Sequence, residues 1–137
     1  MVKTGFLVCV LLLALFIVIG CEQTPPAPPE PGEWTSATEF GELRFTVNSD
    51  STGITEIVFE FDEFECSGMT WVSGGVTYQQ SPNPWPITDN MFTVDVFLNP
   101  WEFVIEGEFD STGTQASGTW EIEDSNCSGT WESTPAH

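Results

Sequence analysis

The sequence predicts an all-β protein, an antiparallel β-sandwich of seven or eight short strands, with a small closed β-barrel as the alternative. Three observations carry this. From Trp34 to His137 apolar and polar residues alternate with the two-residue period of half-buried strands. Clusters of Gly, Pro, Asn, Asp and Ser interrupt the alternation at short intervals, and no stretch shows the roughly 3.6-residue period of an amphipathic helix.

In chain order, Lys3 is followed by an apolar run of fourteen residues from Phe6 to Ile19, closed by Gly20 and Cys21. The run is short of the roughly 20 residues of a membrane-spanning helix, and the order charge, apolar run, small residue is that of an export signal. Residues 1–20 are therefore set apart from the fold. Residues 22–33 read EQTPPAPPEPGE, a composition that favours an extended polyproline stalk at about 3.1 Å per residue, so residues 21–33 are expected to hold a domain of residues 34–137 on the order of 30 Å from its attachment.

Within the domain, Leu43, Phe45 and Val47 alternate with Glu42, Arg44 and Thr46, and Ile57, Phe59 and Phe61 with Glu56, Val58, Glu60 and Asp62. Val76 and Tyr78, then Phe92, Val94 and Val96, mark two more strands. Trp101, Phe103, Ile105 and Phe109 alternate with Glu102, Val104, Glu106 and Glu108, and two closing strands run through 116–123 and 127–133. Turn-forming clusters lie at 48–53, 73–75, 81–86, 89–90, 99–100 and 110–113. Strands 56–62 and 102–108 each set three acids on one face, so adjacency of the two would carry like-charge repulsion.

Val18-Ile19-Gly20-Cys21 is similar to the lipobox of bacterial lipoprotein signals, with Val18 and Ile19 where Leu and a small residue are usual. The resemblance implies cleavage before Cys21, lipidation of Cys21 and an extracytoplasmic protein anchored to the cell membrane or outer membrane. Of the four cysteines, Cys9 then leaves with the signal and Cys21 carries lipid, so Cys66 and Cys127 remain as a pair for one disulfide. Such a bond ties an early strand to the last, which favours the sandwich. The mature chain keeps 21 acidic residues against Arg44, a charge of 1 − 21 = −20, which excludes nucleic acid as an ordinary partner.

Two words recur: Asp50-Ser51-Thr52-Gly53 as Asp110-Ser111-Thr112-Gly113, and Cys66-Ser67-Gly68-Met69-Thr70-Trp71 as Cys127-Ser128-Gly129-Thr130-Trp131. They suggest a decayed duplication. A further Ser-Gly-Thr-Trp stands at 117–120, and in both tight words a glycine lies two before a tryptophan on one strand face, as expected where a ring covers bare backbone. These words, with the opening Phe40-Gly41-Glu42-Leu43-Arg44-Phe45, resemble a group of short uncharacterised secreted β-domains of environmental bacteria. That resemblance implies the fold and the disulfide and no activity.

Glu60-Phe61-Asp62-Glu63-Phe64-Glu65 resembles the Glu-x-Asp-x-x-Glu strand of retaining β-glucanases, which by position implies Glu60 as nucleophile, Asp62 as helper and Glu65 as acid/base. Glu63 replaces an apolar residue, and the domain is about half the length of that family's. A solvated acidic strand, and no enzyme, is the expectation. The single histidine is His137, which leaves no Ser-His or Cys-His arrangement.

Asn48 to Glu56 sets oxygen ligands at alternating positions around Gly53, as calcium loops do, so Asp50 and Glu56 are the candidate metal ligands although Phe59 stands where a bidentate Glu is needed. No other cofactor is expected. Trp85, between Pro84 and Pro86, and Trp34, at the stalk junction, are read as exposed rings suited to a glycan or a surface protein. The expected function is a non-catalytic binding or adhesion domain on a membrane-anchored lipoprotein, the alternative an accessory lipoprotein acting through protein contacts.

Overall fold

The computed structural model describes residues 24–137, so residues 1–20 and the lipidation candidate Cys21 lie outside the described residues. Among the described residues there are eleven strands and no helix: β1 (Gly32–Thr38), β2 (Gly41–Val47), β3 (Gly53–Phe61), β4 (Phe64–Cys66), β5 (Met69–Trp71), β6 (Gly74–Gln79), β7 (Trp85–Pro86), β8 (Met91–Leu98), β9 (Trp101–Phe109), β10 (Ala116–Ile122) and β11 (Cys127–Pro135). Eight of them form one antiparallel sheet in the order β6-β3-β2-β1-β11-β10-β9-β8, while β7 pairs with the start of β3 and β4 with β5. The sheet curls until it is nearly closed, and the Tyr78 hydroxyl on β6 donates to the Phe97 carbonyl on β8 across the gap between its edge strands. The architecture is thus the expected all-β antiparallel one, nearer the barrel of the two alternatives because a single sheet wraps almost into a closed ring. The Cys66–Cys127 disulfide, instead of tying two sheets together, ties the β4–β5 hairpin to the first residue of β11.

The alternation read from the sequence places the core. Phe92, Val94 and Val96 of β8 point inward between exposed neighbours, and Phe103, Ile105 and Phe109 of β9 do the same. Aromatic rings fill the interior: Phe45 contacts Trp34, Phe92, Phe109 and Trp131, all with centroids between 5.3 and 6.2 Å. Each fully buried phenylalanine contributes up to about 3 kcal/mol of transfer free energy.

The two Ser-Gly-Thr-Trp words lie side by side in antiparallel register, with Gly118 opposite Trp131, Thr119 opposite Thr130 and Trp120 opposite Gly129. Each indole therefore lies over the other strand's glycine. A Cβ on Gly118 would stand 2.8 Å from the Trp131 ring, and one on Gly129 would stand 2.5 Å from Trp120 Nε1. The glycine requirement is steric, and the cover is reciprocal between strands, where the sequence suggested it within one strand.

The ends of the barrel are closed differently. At one end the β4–β5 hairpin folds over the opening, with Phe64 stacked on Phe61 and Trp71 edge-on to Phe103. At the other end runs the proline segment, tied down from Ala27 onward. The Ala27 amide donates to Ser111 O, the Glu30 amide to Gly113 O, and the Ser51 hydroxyl to Pro29 O. Pro29 is buried. The stretch expected to be free stalk up to Glu33 thus belongs to the domain from Ala27, and β1 already begins at Gly32.

Both six-residue turns that receive this segment have one geometry. Asn48 Oδ1 accepts from the amides of Thr52 and Gly53, and Asp110 Oδ1 from those of Thr114 and Gln115. The fourth residue of each, Ser51 at φ 61° and Gly113 at φ 70°, is left-handed. The equivalent residues are Asn48 and Asp110, an offset of 62, whereas the repeated words align Asp50 with Asp110, an offset of 60. The cysteine words are also inequivalent, since 66–71 form a hairpin and 127–131 a straight strand. The echo is one of composition, not of position.

Candidate functional site

Strands β1 and β11 pair in register only at Trp34 with Pro135 and Thr35 with Thr134. Beyond Thr35 a side chain takes over, the Ser133 hydroxyl donating to Thr35 O. Above this short junction opens a groove of about 540 Å³ whose lining includes Ser36, Glu108, Asp110, Gln115, Ser117 and Glu132. The register sets Glu108 and Glu132 on either side of Ser117, with Glu108 opposite it on β9 and Glu132 opposite it on β11. Serine is too short to separate the two carboxylates, so the wall presents two charged acceptors flanking a hydroxyl. At the groove's end the Asp110 carboxyl is held below its ordinary range by the Thr112 hydroxyl and then by the amides of Gln115, Thr114 and Gly113. Such a wall accepts hydrogen bonds and attracts cations.

The residues singled out in the sequence are dispersed. Trp34, read as exposed, is fully buried at 0% exposure; its indole NH donates to Glu30 O and its ring packs on Phe45 and Phe109. The misreading has a physical reason: the proline segment doubles back over the barrel end and covers the ring. Trp85 is half-buried, packed against the core while its backbone pairs with Ile54, so the loop is pinned to β3 at this point.

Asp50 accepts from the Thr52 hydroxyl within its own turn, and Glu56 Oε2 accepts from Gln79 Nε2 across β3 and β6. Among the described residues no group of three or more His, Cys, Asp or Glu is assembled as a metal site. Glu60 lies at the exposed end of β3 and pairs with Arg44 at 3.2 Å, whereas Glu65 stands on the separate hairpin β4. The glucanase spacing is therefore broken by the turn at Asp62 and Glu63, and its three acids do not share one bulged strand.

Arg44 is engaged twice, with Glu42 at 3.0 Å and with Glu60. Facing outward on β8 and β9, Asp95 and Glu102 lie within hydrogen-bonding reach, and that contact, followed by the charges of Asp95 and Glu123, raises the Glu102 carboxyl above the ordinary glutamate range. Sequence reasoning missed the groove, because it depends on where β1 stops pairing with β11. The short side chain of Ser117, set opposite Glu108 and Glu132, was its only trace. No protein-family model, no curated protein and no solved structure matches the chain.

Proposed function

We propose that the chain is a lipid-anchored extracytoplasmic protein whose barrel is a non-catalytic binding domain, its ligand rich in hydrogen-bond donors, such as a cell-surface glycan, and held along the groove beside β1 and β11. The observation that carries this reading is the row Glu108, Ser117 and Glu132, three acceptors on a rigid sheet above an open groove. Strand-borne acceptors lose little freedom on meeting a ligand. The extracytoplasmic placement draws support from Val18-Ile19-Gly20-Cys21 and from the disulfide, since such bonds persist in oxidising compartments. Calcium at Asp50 and Glu56 is no part of the reading, because both carboxylates already accept side-chain donors.

Binding of the full-length chain to an array of cell-surface glycans tests the proposal. The wild type binds at least one glycan class, and replacement of both Glu108 and Glu132 by Ala weakens that binding about tenfold or more, the loss of one or two charge-assisted hydrogen bonds. Absence of glycan binding, or equal binding by the variant, overturns it. A second reading, an accessory protein acting through protein contacts, is favoured by Phe97, which is 62% exposed on the edge strand β8. On that reading Phe97→Ser abolishes co-purification of a partner and leaves glycan binding alone.

A further inference from the structure

We propose that the β4–β5 hairpin is a lid operated by the Cys66–Cys127 disulfide, and that its reduction uncovers an apolar, ring-lined site at that end of the barrel. The hairpin stands apart from the main sheet, and its register pairs are internal: Phe64 with Trp71, Glu65 with Thr70 and Cys66 with Met69. Apart from the disulfide it is held by rings, Phe64 against Phe40, Phe61 and Trp120, and Trp71 against Phe61, Trp101 and Phe103. Stacking fixes position less firmly than a strand ladder. Closure also leaves one polar atom unserved, since Trp71 Nε1 is buried without a partner and regains water when the hairpin lifts.

The covalent latch is reachable from one side. Cys66 is half-buried, while Cys127 is 1% exposed. A thiolate of a dithiol reductant bonds to the Cys66 sulfur as the Cys66–Cys127 bond breaks, and Cys127 leaves as a thiolate that takes up a proton. The reductant's second thiol then displaces Cys66, which is protonated in turn. Two electrons have passed from the dithiol, now a disulfide, to the protein, now a dithiol. The site uncovered is floored by Phe40, Phe61, Phe103 and Trp120 and takes a flat apolar ligand. The inference is independent of the groove at the other end.

Hydrogen exchange of the purified full-length chain, oxidised and after dithiothreitol, reads the lid directly. Once both thiols can be alkylated, amides of residues 64–71 lose protection by at least tenfold, those of β9 to β11 keep theirs, and Nile red fluorescence rises; reoxidation reverses all three. Unchanged exchange of residues 64–71 in the alkylatable protein overturns the proposal, because the rings then hold the hairpin unaided. Joint loss of protection in every strand overturns it equally, by making the disulfide a staple of the whole barrel. The double variant C66S with C127S behaves as the reduced protein under either condition, and its global unfolding counts with the second overturning result.

Discussion

Asn48 and Asp110 play the same part in two turns, each offering one side-chain oxygen to two amides, yet one is neutral and the other charged. Because the Asp110 carboxyl is depressed in the folded state, the stability it contributes is present above the ordinary aspartate range. It is lost as pH falls through that range and then through the folded value. Asp110→Asn keeps an acceptor and removes the titration, so its urea midpoint changes less than the wild type's between neutrality and about pH 3; parallel curves would remove Asp110 from the acid response. Trp34 gives a prediction of another kind. Truncation of a ring with no exposed surface costs about 3 to 5 kcal/mol, so Trp34→Ala shows a denaturation midpoint far below the wild type, and a loss under about 1 kcal/mol would contradict its burial. The proline context suggested an exposed ring at this position. Composition says that a segment lacks regular structure, but not which surface it lies against.

Among the elements, alternation located the long strands because one face of each is buried: 43–47, 57–61, 92–96 and 103–109 all carry the pattern. The β4–β5 hairpin escaped that reading, since both its faces are partly exposed and its strands are three residues long. Its turn is built by Ser67 and Gly68, at φ 54° and 77°, the pair of left-handed residues that a two-residue hairpin prefers, a signal the turn clusters read from the sequence did not include. Strand adjacency was less accessible, because the order of strands depends on long-range pairing. The acidic strands 56–62 and 102–108 are kept apart by other strands of the sheet, and the repulsion falls instead on Asp95, Glu102 and Glu123. A raised Glu102 stabilises below the ordinary glutamate range and ceases to do so as pH rises through its folded value. At neutral pH and low salt Glu102→Gln therefore raises the melting temperature, and the gain shrinks as salt screens the group. An unchanged or lower melting temperature would mean that the three carboxylates do not repel one another.

For the whole molecule, composition carried the charge correctly and geometry decided its consequence. With inward positions given to rings and aliphatic groups, the carboxylates are displayed on the outer wall, where, among the described residues, only Arg44 answers them. Raising the ionic strength from about 0.01 to 0.15 M shortens the screening length from about 30 to 8 Å, so sodium chloride raises the melting temperature. Calcium at matched ionic strength separates screening from binding: an equal effect leaves screening alone, and a larger one shows uptake of the ion. The clamped proline segment bears on posture. Between Cys21 and Ala27 lie six peptide steps, a contour of about 20 Å even when fully drawn out. With Cys21 acylated as proposed, the barrel does not drift on a long leash above the bilayer but stands on it like a short post. On that reading the end closed by residues 27–30 faces the bilayer and the disulfide-bonded hairpin faces away from it.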